Sequence, residues 1–356
     1  MLFKVPDQVR EPLYAIVPYY NPWRWTTRVK HTERALKHFH DSGAIIVFVE
    51  IAYNRRDPAF ANYGLDGTLS ECKVHDKEHR HKHITLITKD ELWLKENAIN
   101  IGVGSLPYDW KQVCWLDSDV HFLRPNWVGE CIHRLQHYKF VQMFSHARDV
   151  DPSYTMLPED YPHANGIGFA QAFIEGKLED MFVRGRAGYY GDNVKQKVMF
   201  PGLAWACTRQ AWDEVGGLID FAIWGGGDWH MAWALVENYA HMMRGDLHPN
   251  YKAMVNAWAA RCKRHIRKNI GVMDGSIIHH WHGPKTGRGY NVKHKLLADI
   301  GFDPVRMLKR DYQGLWQLHD DGSDAFVKLR DLMRQIAVER NEDDPNVSLP
   351  MDGQGH

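Results

Sequence analysis

Apolar residues gather in short runs parted by polar turns. Residues 13–18 (LYAIVP) form the first run, closed by Tyr19-Tyr20-Asn21-Pro22, which reads as a strand and a turn. Residues 44–51 (AIIVFVEI) are an unbroken, β-branched stretch, the mark of a strand buried on both faces. Residues 84–87 predict a third strand and Gln112–Leu116 a fourth. Helical spacing fills the gaps. Val29, Ala35, Leu36 and Phe39 predict a helix over 29–42 that Gly43 stops. Thr88-Lys89-Asp90 opens another through Leu92, Leu94, Ala98 and Ile99, with Thr88 or Asp90 supplying the capping oxygen. A helix over 126–138 and a strand over 139–145 follow. Such alternation predicts an α/β fold with a mostly parallel sheet covered by helices.

From 146 to 198 the pattern breaks into Gly, Pro, Tyr and charged residues, with Arg184, Gly185, Arg186, Gly188 and Gly191 close together. A loop-rich insertion or lid is expected there. Order resumes at 199–207, and Thr208 caps a short helix. Gly225-Gly226-Gly227 precedes an amphipathic helix expected over 228–243, followed by a strand at 276–281. Helices are expected through 292–340 and a loose acidic tail over 341–356.

Composition narrows the picture. The 356 residues carry 44 Lys+Arg against 44 Asp+Glu, so a surface that is basic throughout is excluded, whereas a local basic patch is not. Five Cys with no CxxC pair read as free, mostly buried thiols of a reducing compartment. No N-terminal stretch has a signal-peptide pattern, and Ala44–Val49 is far too short to cross a bilayer. A cytoplasmic protein is expected.

Three constellations carry chemistry. Asp117-Ser118-Asp119 ends a buried strand, where ligands bind in parallel sheets, and two carboxylates one residue apart suit a divalent cation that bridges phosphates. The plain alternative is a pair of loop acids. Trp224-Gly225-Gly226-Gly227-Asp228 opens a helix, and the helix dipole stabilises a negative Asp228 that could serve as general base. A plain N-terminal Asp is its alternative. His279-His280-Trp281-His282-Gly283-Pro284-Lys285 ends a strand, and alternation would place His280 and His282 on one face as metal ligands. Lys285, Arg288 and Tyr290 could neutralise a diphosphate. Glu50, Asn54 and Arg55 follow the second strand, as donor contacts or as exposed loop residues. Cys72, His75, His79, His81 and His83 form a His-rich loop whose spacing matches no standard zinc pattern. Trp229 and Trp233 keep helical spacing and read chiefly as core.

Together these features resemble the GT-A glycosyltransferases, most closely the β-1,4-galactosyltransferase-like group. The resemblance rests on Pro18-Tyr19-Tyr20-Asn21, on Asn97 to Gly102, on Trp115-Leu116-Asp117-Ser118-Asp119-Val120, on Phe200-Pro201-Gly202, on Trp224-Gly225-Gly226 and on His280 or His282. It covers residues 13–290. It implies a Rossmann-like GT-A domain over 1–290, with a nucleotide-sugar half (1–120) and an acceptor half (121–290). A C-terminal helical extension (291–340) and a tail would follow. The resemblance further implies a nucleoside-diphosphate-sugar donor, UDP-linked by preference, and Mn²⁺ or else Mg²⁺ held by Asp117, Asp119, His280 and His282. Pro18, Tyr19, Tyr20, Asn21, Asn100 and Ser118 would then be donor contacts, Asp228 the base of an inverting displacement, and Trp224, Gly225, Gly226, Gly227 and Trp229 the acceptor side. The chain departs from the group at Gly227, where a Glu is usual.

For the acceptor, Arg261, Lys263, Arg264, Arg267 and Lys268 crowd into eight residues with no acid among them. They read either as a solvated helix face or as a phosphate-tracking surface. The second reading favours a phage-type enzyme acting on hydroxymethylated pyrimidines in DNA, in the host cytoplasm, with the base flipped out. Alternatives are a lipid-linked bacterial surface-polysaccharide transferase, a non-catalytic nucleotide-sugar binder and a His-rich metalloprotein.

Overall fold

The computed structural model describes residues 11–54, 56–60, 81–151, 155–156, 165–179, 198–283, 293–339 and 342–343. In chain order the strands are β1 (Leu13–Tyr20), β2 (Ile45–Tyr53), β3 (Lys82–Thr88), β4 (Gln112–Leu116), β5 (Val120–Phe122), β6 (Phe140–Gln142) and β7 (His146–Asp149). They continue with β8 (Asn165–Gly168), β9 (Val198–Phe200), β10 (Ala204–Thr208), β11 (Ile270–Val272) and β12 (Ser276–His279). Seven of them form one sheet in the order β11-β6-β10-β4-β1-β2-β3. Only β10 runs against its neighbours, so the other six point their C-terminal ends to one edge. This is the α/β architecture expected from the alternating runs.

Alternation along the strands divides the core. Tyr14 and Ile16 of β1, with Val47 and Val49 of β2 and Trp115 of β4, face the helix α2 (Lys95–Gly104) and the helix Gly227–Leu235. Ala15 and Val17, with Phe48, pack against Phe39 of α1 (Thr26–Asp41) and Trp127 of the helix Trp127–Leu135. Each fully buried Val, Ile or Leu contributes roughly 1.5–3 kcal/mol. Residues buried on both faces explain why β2 reads as an unbroken apolar run.

A second, five-stranded sheet has the order β5-β12-β7-β8-β9, and its strand β5 starts just past the C-terminal end of β4. It accounts for one difference from the sequence reading. The expected strand at 139–145 is only the three residues of β6, in the large sheet, and β7, in the small one, starts beyond it at His146. The region after 146 is likewise not loop throughout, since β7, β8 and the helix Phe169–Ile174 lie in it. Other boundaries moved for local reasons. Helix α2 begins at Lys95 with no side-chain cap, because Thr88 Oγ1 accepts from Asp90 N (3.2 Å) and Asp90 Oδ2 accepts from Leu318 N (2.7 Å). The helix after the three glycines stops at Leu235, as the chain reverses through Glu237 at φ 58°.

The C-terminal region is not wholly helical. Between the helices Lys293–Ile300 and Asp324–Glu339 lies a hairpin of β13 (Leu308–Arg310) and β14 (Trp316–Leu318). Asp220 fastens it to α2: it accepts from Arg310 Nη2 (2.8 Å), Trp316 Nε1 (3.0 Å) and Asn100 Nδ2 (3.0 Å). Nor are Glu342 and Asp343 loose. Glu342 pairs with Arg28, and Asp343 accepts from Thr26 N (2.6 Å) and Thr27 N (2.9 Å), so it caps α1 from the far end of the chain. No helix among the described residues is long and apolar enough to cross a membrane.

Candidate active site

The polar residues after β4 stand where the two sheets meet. Strand β12 pairs antiparallel with β5, placing His279 opposite Val120, and His280 N donates to Asp119 O (2.8 Å). This pairing brings Asp119, His279 and His282 together, with one ligand atom of each within 4.8 Å of the others. His282 Nδ1 lies 2.8 Å from Asp119 Oδ2, and His279 Nε2 lies 3.8 Å from Asp119 Oδ1. Strand β7, parallel to β12, contributes Asp149 opposite His279. A carboxylate can only accept, so His279 Nδ1 donates to Asp149 (2.7 Å) and Nε2 turns its lone pair toward the cluster. Burial would raise the Asp119 carboxyl, but His282 and His279 outweigh it and hold the group well below its usual range. Asp119 Oδ1 is buried and accepts no hydrogen bond from the described residues. Two imidazoles and a carboxylate on one side of a small space fit a divalent metal such as Mn²⁺ or Zn²⁺.

Two residues of the expected metal set are not in this group of three. His280 is outside this cluster: β12 ends at His279, so the two-residue alternation no longer applies beyond it. Its ring stacks on His31, 5.1 Å between centroids, and burial beside that second imidazole pushes it down to about 4. Asp117 forms an ion pair with Lys95 of α2, and its N–H is tied to Leu203 O (2.9 Å). Burial raises the Asp117 carboxyl against the pull of Lys95. Lys95 stays charged, because Asp117, Glu96 and Asp228 together outweigh its burial.

Lys95 also leads to the second constellation. It lines a small cavity of about 20 Å³ with Glu96, Trp115, Gly202, Trp205 and Asp228. Asp228 lies in the first turn of its helix, and Oδ1 accepts from Trp229 N (2.8 Å). A methyl on Gly202 would collide with Asp228 Oδ2. Buried Gln142 steadies the Gly202 turn by donating to Phe200 O (2.8 Å) and accepting from Ala170 N (2.8 Å). Gly226 sits at φ 88°, and a side chain there would strike His294. Trp224 is buried, whereas Trp229 is half-buried and donates to His241 O (2.8 Å).

Several expected donor contacts are tied into the scaffold. Asn21 bridges Tyr19 Oη and Trp25, closing the turn after β1. Tyr20 Oη donates to Asp90 O (3.0 Å). Glu50 is buried, accepts from Ala59 N (2.6 Å) and pairs with His83 (3.0 Å). Asn100 exchanges hydrogen bonds with Leu218 N and O and holds Asp220. Pro18 and Ser118 are half-buried and Asn54 is exposed, all near the C-terminal edge. Arg55, Lys285, Arg288 and Tyr290 lie outside the described residues, as do Cys72, His75 and His79 of the His-rich loop. His81 accepts from Ile46 N (2.9 Å) and so helps align β2.

The basic run stands at the other edge of the sheet. It finishes the helix Pro249–Arg261, passes through a π-helical turn (Cys262–Ile266) and leads into the start of β11, beside the start of β6. Arg261 Nε donates to Val215 O (2.7 Å), and Lys263, Arg264, Arg267 and Lys268 are exposed. They do not converge with Asp228.

His279, Asp149, Lys95 and Glu96 were not among the candidates. His279 stood inside the histidine motif; for the other three no sequence signal distinguishes them from ordinary surface charges.

No protein-family model matches the chain, and no curated protein matches it. Nucleotide-sugar enzymes are among the solved structures similar to it. The Drosophila β1,4-galactosyltransferase 7 catalytic domain, in complex with xylobiose, is 9% identical over 63% of this chain and 60% of its own, with TM-score 0.29. A nucleotide-diphospho-sugar transferase from Desulfovibrio desulfuricans G20 is 10% identical over 92% and 98%, with TM-score 0.32. Mycobacterium tuberculosis glucosyl-3-phosphoglycerate synthase, complexed with Mn²⁺, UDP and phosphoglyceric acid, is 9% identical over 83% and 77%, with TM-score 0.31. The chain thus spans 60% of the galactosyltransferase domain. Similarity at this level carries no argument about chemistry, which rests on the site itself.

Proposed function

We propose that this chain is a metal-dependent glycosyltransferase that moves a sugar from a nucleoside-diphosphate sugar, by preference a UDP-sugar, to a hydroxyl. The supporting observation is one juxtaposition at the C-terminal edge of the sheet. Asp119, His279 and His282 form a metal-ligand set, and Lys95 connects the neighbouring Asp117 to the cavity that holds Asp228. A divalent ion bound there would stabilise the charge of the departing diphosphate. Asp228 would take the proton of the acceptor hydroxyl as its oxygen bonds to the anomeric carbon and the bond to the diphosphate breaks, an inverting displacement. The Lys95–Asp117 pair ties α2 to the chain just after β4.

A finer reading makes the acceptor the hydroxymethyl group of a pyrimidine in DNA. The basic run and the glycine at 227 in place of the usual Glu lean toward it, but that run stands at the edge of the sheet away from Asp228. The geometry therefore supports a hydroxyl acceptor and favours no particular macromolecule. The test is calorimetric: UDP should bind the wild type tightly only with Mn²⁺, and Asp119→Ala should abolish that dependence. UDP affinity that is the same with and without Mn²⁺ would sink the proposal. A donor-by-acceptor screen read by mass spectrometry, with hydroxymethylated DNA and lipid-linked sugars included, then identifies the product.

A further inference from the structure

Beside Asp228 lies a carboxyl that the displacement above leaves unused. Glu96 belongs to the first turn of α2 and is 4% exposed. Its neighbour Lys95 pairs with Asp117. Glu96 instead runs across to the helix Gly227–Leu235. A methyl on Gly227 would stand 3.1 Å from the Glu96 carboxyl carbon and 2.9 Å from Ile219 O, so the glycine leaves the room that this carboxyl fills. Asp228 is the next residue, and both acids line the same cavity of about 20 Å³, space for one water or one hydroxyl.

We propose that Glu96 is a substrate-contacting positioning residue: in its protonated form it donates a hydrogen bond to the same acceptor hydroxyl whose proton Asp228 accepts. This rests on the hydroxyl-acceptor reading above. A hydroxyl has one proton to give and two lone pairs to offer, so a carboxylate on one side and a carboxylic acid on the other fix it along both directions. As the reaction proceeds, Asp228 gains the proton, the oxygen bonds to the sugar, the diphosphate leaves, and Glu96 keeps its own proton.

The surroundings of Glu96 favour that form. Burial pushes its carboxyl up to about 8, Lys95 on its own helix opposes the rise, and Asp228 and Asp117 reinforce it. From the helix Pro249–Arg261 comes Tyr251, whose hydroxyl is also raised, by burial and then by Glu96, and which hydrogen-bonds His230 (2.9 Å). Two carboxyls in so small a cavity keep one proton more readily than they hold two charges. Because the folded value lies above the unfolded one, the associated stability is complete below the unfolded value, about 4.3, and is lost as pH rises through the folded one.

The test compares Glu96→Gln with the wild type in two measurements. In thermal melts the two should agree at about pH 4, and the wild type should lose stability relative to Glu96→Gln on the way to about pH 9. In Mn²⁺-dependent hydrolysis of UDP-glucose or UDP-galactose without acceptor, where water takes the hydroxyl's place, the wild-type rate should decline above about pH 8. Glu96→Gln, whose amide still donates, should remain active and lose that decline. Parallel melting curves would show an ionised Glu96 and overturn the inference alone, leaving the transferase reading intact. An identical alkaline decline in both proteins would also overturn it. A wild type that hydrolyses neither donor would bring down the transferase reading, and the positioning role with it. If Glu96→Gln does not fold, infrared spectra of the wild type decide. A protonated-carboxyl band present at about pH 6 and lost by about pH 9.5 supports the inference, and no such band refutes it.

Discussion

The C-terminal edge of the parallel strands carries Asp117, Asp119, Lys95, Glu96, Asp228 and two of the clustered histidines. Each is half-buried or buried, and each meets or opposes another charge. The N-terminal edge carries Lys263, Arg264, Arg267 and Lys268, which are exposed and end a helix whose dipole favours positive charge there. In the sequence the basic run is the denser cluster. In the fold it is the weaker candidate, because its charges fan outward into solvent, whereas the acids and histidines converge on a shared space. Convergence and desolvation, more than density along the chain, distinguish a reactive edge from a solvated one.

The sharpest test of the reactive edge is Asp228→Asn. It keeps the size of the side chain and removes the base, so turnover should fall by about 10²- to 10⁴-fold with UDP affinity unchanged. Rapid-quench turnover and calorimetry on the same preparation separate the two quantities. Full turnover in the variant would place the base elsewhere. Next in size is Asp149→Asn. Asp149 meets the cluster at His279 Nδ1, and it sets which nitrogen of that ring carries the proton. Mn²⁺ affinity should fall by roughly 10- to 100-fold while the fold is kept. An unchanged affinity would mean that His279 is not a ligand.

A third test reads stability. Lys95→Met leaves Asp117 beneath the sheet edge without its cation, and the loss of one partner of such a pair costs about 3 kcal/mol. The melting temperature at neutral pH should drop, and much of the loss should return with the double variant Lys95→Met, Asp117→Leu. If the double variant is no more stable than the single one, the pair is not what holds that edge.

These residues also mark how far a sequence can be read. The strands were legible because β1, β2 and β4 are buried on both faces and their apolar runs are unbroken. Asp117 and Asp119 stood out because they follow such a run directly. What could not be read was direction. Whether His279 or His280 faces Asp119 depends on β12 ending at residue 279, which is a matter of tertiary pairing with β5 and β7. Asn21, Glu50 and Asn100 have the chemistry of ligand contacts, but their side chains close turns and join helices, and only the backbone groups around them reveal it. Lys95 and Glu96 look like the polar first turn of any helix. The three-residue strands of the C-terminal hairpin are too short for a period to register, so a helical reading prevailed there.

The smallest expected effect is the one that would most easily overturn the contrast between the edges. Arg264→Gln with Lys268→Gln removes two charges from the N-terminal edge and touches no residue of the cavity or the histidine cluster. Turnover on a small hydroxyl acceptor, UDP affinity and melting temperature should all stay as in the wild type. Any binding to DNA should lose about two units of slope in log affinity against log salt, since each neutralised phosphate contact contributes nearly one. If turnover on hydroxymethylated DNA drops together with that slope, the two edges work on one ligand: a duplex would have to reach from the start of β11 around to Asp228. Were only the slope to change, the run would be a place where anions collect, remote from the chemistry at the other edge.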